Sequence, residues 1–239
     1  MIPPLPAGVR LYVVGDIHGC ATMLDRLTEE IDADIARHPA ERVLEVFLGD
    51  YVDRGADCAG VLSRVAAEVP GRERVRLMGN HEDAMVEALA DGSRMDRWLA
   101  FGGDATLRSY GIEPNEYAHA PHALQPIVQS VIPPEHTSLL ERLALQHRVG
   151  DILFVHAGIR QGVALEEQDR HDLMWIREEF YDAPGPWPVY VVHGHTPVAA
   201  PEVFAHRANL DTGAVYGGPL TALVLEGDRH RFISVPYEA

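Results

Sequence analysis

Residues 10–19 read RLYVVGDIHG, and the fold is decided here. Leu11 to Val14 form a short, β-rich apolar run; Gly15 ends it, and Asp16 and His18 follow at once. A brief continuous apolar run closed by glycine predicts a buried strand over 10–15. The next segment, 21–38, sets Met23, Leu24, Leu27, Ile31 and Ile35 near helical spacing with charges between them, which predicts an amphipathic helix. The alternation repeats: a strand over 43–48, a helix over 57–69 stopped by Pro70-Gly71, a strand over 74–78 and a helix over 81–90. Strand–helix–strand order of this kind argues for parallel βαβ units and an α/β fold. Polar clusters then fall at the carboxyl ends of the strands, where α/β sheets bind their ligands.

Beyond residue 92 the pattern changes. Residues 93–138 carry Trp98, Leu99, Phe101, Leu107 and Tyr110 among glycines and charges, interrupted by Pro114, Pro121, Pro126, Pro133 and Pro134. This predicts a helical, cap-like insertion within a single domain spanning 1–239. The rest turns β, with strands expected at 145–149, 152–156, 189–193, 203–210, 220–225 and 231–235. Gly150-Asp151 and Gly227-Asp228 are hairpin signals.

The 239 residues carry 20 Lys+Arg against 36 Asp+Glu, a net charge of −16. That balance opposes broad nucleic-acid binding, which needs a basic surface. It leaves room for a small phosphorylated substrate held by a few arginines and metal. No apolar run reaches the ~18 residues of a membrane helix, and the N-terminus lacks the marks of a signal peptide. Two cysteines, Cys20 and Cys58, make no disulfide framework, so a reducing cytoplasm is expected. Cys20 reads as a small residue at a helix start, where a thiol can also have a lowered pKa.

Five clusters follow strand ends in order: GDIHG (15–19), GDYVDRG (49–55), GNHE (79–82), HAG (156–158) and GHT (194–196). Each alone is weak; Asn80, for instance, could simply cap a helix. Together they supply carboxylate, imidazole and amide donors suited to Mn²⁺, Fe or Zn²⁺, with no thiol among them. Asp16, His18, Asp50, Asn80, His156 and His195 form the candidate ligand set for two divalent ions, with Asp50 the natural bridge. Two such ions can generate a nucleophile from water near neutral pH and clamp the oxygens of an in-line attack on phosphorus.

The combined motifs resemble those of the calcineurin-like metallophosphoesterases. More narrowly, they resemble the phosphoprotein-phosphatase family, which includes small bacterial and phage serine/threonine phosphatases and diadenosine tetraphosphate hydrolases. FGGDATLRSYG (101–111) and LDTGAVYGGPLTALVLEGD (210–228) look like the bacterial branch. The resemblance implies a two-sheet sandwich flanked by helices, with a dimetal site at the strand ends, Mn²⁺ being the first expectation and Fe or Zn²⁺ the alternatives. It implies hydrolysis of a phosphoester by direct attack of a metal-bound hydroxide. Asp16 and His18 would hold one ion with Asp50, and Asn80, His156 and His195 the other. His81, oriented by Asp53, would be the general acid; Arg54, Arg177, Asn80 and His81 would meet the phosphate.

Two departures stand out. The arginine that many family members carry before Gly-Asn-His-Glu is Met78 here, with Arg76 expected one pleat away as a partial substitute. Pro197 replaces the second histidine of the wider superfamily's Gly-His-x-His, and His193 reads as core or as support for the ligands.

Phosphoserine or phosphothreonine protein is the first substrate expectation. The alternative is a dinucleoside polyphosphate, which needs a base-stacking surface from Tyr51, Trp98, Tyr110 or Tyr216. An inactive phosphate-binding protein is disfavoured by the complete ligand set.

Overall fold

The computed structural model describes residues 1–237. Among these described residues, ten strands form two five-stranded mixed sheets. The first is ordered β10-β9-β1-β2-β3, from β1 (Val9–Val14), β2 (Arg42–Phe47), β3 (Arg72–Arg76), β9 (Leu220–Glu226) and β10 (Arg229–Val235). The second is ordered β4-β5-β6-β8-β7, from β4 (Gln146–Val149), β5 (Ile152–Val155), β6 (Tyr190–His193), β7 (Glu202–Val203) and β8 (Arg207–Asn209). β1, β2 and β3 run parallel, as do β5, β6 and β8; β9 and β10 pair antiparallel beside β1.

Strand alternation explains the continuous apolar runs. Leu11 and Val13 of β1 face the second sheet and pack with Leu44, Val46, Phe154 and Val192; Tyr12 and Val14 face the helices. In β5, Ile152 and Phe154 enter the layer between the sheets, while Leu153 and Val155 pack outward against Leu173, Ile176 and Phe180. Both faces of the central strands are therefore buried.

Helices α1 (Ala21–Arg37), α2 (Cys58–Ala66) and α3 (Asn80–Ala90) cover the outer face of the first sheet. The helical segment beyond them contains α4 (Met95–Trp98), a π-turn at Leu99–Gly103, α5 (Asp104–Ser109), α6 (Leu124–Val131) and α7 (Pro134–Arg142). Its buried residues Trp98, Leu107, Leu124, Val128 and Leu139 belong to the same core cluster as those of α1 and α2. Short helices α8 (Arg170–Trp175) and α9 (Glu178–Tyr181) flank the second sheet.

Most expected elements fall within a few residues of the observed ones. Both hairpins form, with Gly150 at φ 59° and Gly227 at φ 55° between paired strands. The single strand expected at 203–210 is instead two short antiparallel strands, because the chain reverses where the Phe204 amide donates to the Arg207 carbonyl at 2.8 Å. The third strand lies at Arg72–Arg76 rather than 74–78. Leu77 continues in a single bridge to Ala144 while the Met78 amide donates to the Ala144 carbonyl, steering the chain toward α3. Among the described residues, no helix is long and apolar enough to cross a membrane.

Candidate metal and phosphoester site

The loops after β1, β2, β5 and β6, with the turn into α3, converge at one end of the sandwich. Their backbone is unusual. His18, Asp50, Asp53, Arg54 and His195 have φ of 44°, 52°, 71°, 69° and 70°, and they are the only non-glycine residues with positive φ among the described ones. Each such conformation costs roughly 1–2 kcal/mol. Strain gathered this way marks a functional site. Close approach adds its own demand: a Cβ on Gly79 would lie 2.1 Å from Asp50 Oδ1, and one on Gly194 would lie 1.9 Å from Asp16 Oδ1.

Two compact donor groups form, His18–Asp50–His81 and Asp50–His156–His195, each with its ligand atoms within 4.8 Å of one another. Asp50 is common to both. Asp16 stands beside them, its carboxylate accepting from the His195 amide at 3.0 and 3.2 Å. Burial, then Asp211, raise the Asp16 pKa well above the usual carboxylate range.

The tautomers reveal what this pocket is built to hold. His18 Nδ1 lies 2.8 Å from the Val52 carbonyl oxygen and His156 Nδ1 lies 2.9 Å from that of Leu48. A carbonyl can only accept, so both Nδ1 atoms carry hydrogen and both Nε2 atoms aim inward. His156 Nε2 meets the Asn80 amide oxygen at 2.9 Å and Asp50 Oδ1 at 3.4 Å. His195 Nδ1 meets the same Asn80 oxygen at 2.9 Å, and its buried Nε2 has no partner. Burial would lower the His156 pKa, but Asp50 prevails and pushes it up to about 10. Burial would raise that of Asp50, and the neighbouring histidines hold it well below the usual range instead. Burial and the His156 charge push His195 down to about 2, leaving it a neutral donor. Asp50 thus draws positive charge into a pocket lined by nitrogen and oxygen atoms, and the set fits divalent cations.

His81 is set apart by its partners. Its Nδ1 lies 2.8 Å from Asp53 Oδ2, its Nε2 is buried without a partner, and its ring stacks on Phe101 at 4.0 Å. Burial lowers its pKa. Asp53 is itself held: it accepts from Trp98 Nε1 at 3.1 and 3.2 Å and from the Thr106 hydroxyl at 2.7 Å. Asn80 does not cap α3. Glu82 performs that role, accepting from the amides of Gly79, Asp50, Tyr51 and Val52 at 2.7–3.1 Å. Sequence reasoning missed the supporting roles of Glu82, Trp98 and Thr106; only the Gly-x-x-Glu capping spacing at 79–82 offered a signal.

Arg54 is exposed at the site's edge, with Nη1 2.7 Å from His18 Nε2 and its guanidinium between the rings of Phe101 (5.7 Å) and Tyr216 (5.6 Å). Arg177 donates to the Thr196 hydroxyl at 2.7 Å, and its charge helps lower the His195 pKa. Arg76 does not replace the missing arginine: it turns away to the carbonyls of Val65 and Ala67 and to Glu68. Arg170 comes instead, 2.9 Å from the Met78 sulfur and 2.6 Å from Asp83. His193 is fully buried, hydrogen-bonded to Gly194 O and stacked on Tyr181, outside both donor groups. Burial pushes the Cys20 thiol up to about 11, opposite to the shift an activated thiol requires. Of the four aromatic candidates, Tyr51, Trp98 and Tyr110 are engaged internally; Tyr216 is 62% exposed.

Residues 9–232 match the model of the calcineurin-like phosphoesterase family, and the chain belongs to it. It is a metallophosphoesterase. The chain is 30% identical over 233 residues to a protein named bis(5'-nucleosyl)-tetraphosphatase PrpE [asymmetrical] from Bacillus thuringiensis (strain Al Hakam), covering 88% of each. It is 26% identical to the protein of the same name from Geobacillus sp. (strain WCH70), covering 90% of this chain and 89% of that one. Among solved structures, a candidate diadenosine tetraphosphatase aligns with TM-score 0.66 and 23% identity over 99% of this chain and 97% of the other. A cold-active protein-tyrosine phosphatase from a psychrophilic Shewanella sp. aligns with TM-score 0.60 and 16% identity, covering 98% and 83%, a likeness of fold.

Proposed function

We propose that this chain hydrolyses dinucleoside polyphosphates at a dimetal centre held by Asp16, His18, Asp50, Asn80, His156 and His195. The observation that carries the reaction class is Asp50 shared between two donor groups, with arginines at their edge and a buried imidazole–carboxylate pair alongside. Bound divalent ions supply positive charge to phosphoryl oxygens and lower the pKa of water. The protein's own residues do the rest. Arg54 and Arg177 orient the phosphate. Nδ1–H of His81 is fixed by Asp53, whose carboxylate favours the imidazolium against the effect of burial, and the Nε2 proton of that form is delivered to the leaving oxygen. Phe101 keeps that ring in plane and excludes water from it. The helical stretch over about 93–138 acts as a cap that belongs to the same single domain.

The substrate order we propose reverses the one expected from sequence. The curated relatives matched over 88–90% of this chain carry the tetraphosphatase name, and Tyr216 supplies an exposed aromatic face beside Arg54. Phosphoserine or phosphothreonine protein is the second reading, favoured by the charge of −16, which suits a phosphate with basic flanks better than a tetraphosphate. Side-by-side kcat/KM values for diadenosine tetraphosphate and a phosphopeptide with Mn²⁺ test the order. Tenfold preference for the dinucleotide is expected; tenfold preference for the peptide reverses it.

A further inference from the structure

Arg54 has two sides. One faces the donor groups; the other lines a cavity of about 360 Å³ that the reaction chemistry leaves unused. Cys20, Thr22, Met23, Ala56, Val215 and Tyr237 are among the residues that line it. The volume sits at the lower end of the roughly 300–1,000 Å³ range of small-molecule sites.

Three observations define the occupant. Arg54 belongs to both spaces, because it lines the cavity while its Nη1 lies 2.7 Å from His18 Nε2. A molecule in the cavity is therefore one residue away from a phosphate at the reaction centre. The lining residues mix the apolar Met23, Val215 and Ala56 with Thr22, which carries a hydroxyl, and with Asp57, whose Oδ1 already accepts from the Gly60 amide at 2.8 Å at the start of α2. That combination suits a flat heterocycle carrying sugar hydroxyls. Next to Val215, Tyr216 is 62% exposed on a turn between Gly213 (φ 68°) and Gly217 (φ 90°), its ring 5.6 Å from the Arg54 guanidinium carbon. An exposed ring resting on a cation offers a stacking surface for a base.

We infer that this cavity, with Tyr216 at its mouth, binds one nucleoside of a dinucleoside polyphosphate while the phosphate chain runs past Arg54 to the reaction centre. The inference rests on the dinucleotide reading above. A phosphopeptide has no group of that shape and needs an extended groove instead.

Ala56→Trp and Thr22→Trp fill the cavity from exposed positions, and Tyr216→Ala removes the ring. Two measurements apply to each purified full-length variant. Steady-state kinetics with Mn²⁺ give the ratio of kcat/KM for diadenosine tetraphosphate to that for p-nitrophenyl phosphate, which lacks a nucleoside. Calorimetric titration of AMP in EDTA reads the subsite without metal. A fall of at least tenfold in both the ratio and AMP affinity is expected for each. Ratios and AMP affinities within twofold of the unaltered protein overturn the subsite and leave the dinucleotide reading standing. Turnover of p-nitrophenyl phosphate with none of diadenosine tetraphosphate by the unaltered protein overturns both. Should one tryptophan variant fail to fold, the other supplies the same two readouts.

Discussion

At the residue scale, charge and proton position divide the site into parts that respond differently to substitution. Asp50 lies in both donor groups and accepts from the His81 amide at 3.2 Å. Asp50→Asn should lower metal content and activity together, because a neutral amide bridges two cations poorly; elemental analysis of the purified protein checks it. His81→Asn should keep metal content while lowering kcat by roughly 10²–10⁴. The loss should be larger for phenyl phosphate than for p-nitrophenyl phosphate, whose leaving group needs less protonation. Thr106→Val should follow the same substrate pattern more mildly, by roughly 10- to 100-fold. An equal loss on both substrates would assign Thr106 to structure alone. The candidate ligands were legible in sequence because each sits at or just after the end of an apolar run, within two residues of a glycine. The supports were not. Trp98 and Thr106 reach Asp53 across 45 and 53 residues, and Glu82 reaches the amides after β2 across about 30. Such contacts exist only once the sheet has brought the loops together.

At the element scale, the docking of α1 offers a pH-dependent test. Asp34 on this helix is buried, accepts from the Tyr12 hydroxyl of β1 at 2.6 Å and pairs with Arg231 of β10. Burial alone would raise its pKa, but Tyr12, Arg231 and Arg10 together lower it. A folded pKa below the unfolded value of ~3.9 means the stabilisation is complete above that value and is lost as pH falls through the folded one. Asp34→Asn should therefore reduce Tm at pH 7 and flatten its decline in acid, as thermal melts from pH 7 to 3 would reveal. Strands and long helices could be read from periodicity. α8 and α9 could not, since helices of 6 and 4 residues are too short to display a period. The turn after Val203 was hidden because Phe204 extends the apolar pattern through it.

For the whole molecule, the charge of −16 acts on every anionic substrate before contact. Repulsion between exposed charges is screened beyond ~10 Å at 0.1 M ionic strength. kcat/KM for diadenosine tetraphosphate should rise as salt increases from low values, while that for a phosphopeptide with basic flanks should fall. Stopped assays over an ionic-strength series distinguish the two slopes, and parallel slopes would remove long-range charge as a factor in substrate choice. Composition already contained this expectation. The placement of the charge did not follow from composition: Arg54 and Arg177 lie at the edge of a centre whose carboxylates are buried.

The grip of Trp98 and Thr106 on Asp53 has a consequence for modularity. Helical segments beside a shared core look exchangeable, and a chimera carrying the stretch from a relative with another specificity is an obvious route to a new enzyme. Here the graft would also replace the anchors of Asp53, the partner of the proposed proton donor His81. A transplanted segment lacking an indole and a hydroxyl at these positions should yield a folded, metal-loaded hybrid that handles activated esters and stalls on natural ones. Restoring those two side chains in the graft should recover turnover without altering which substrate is chosen.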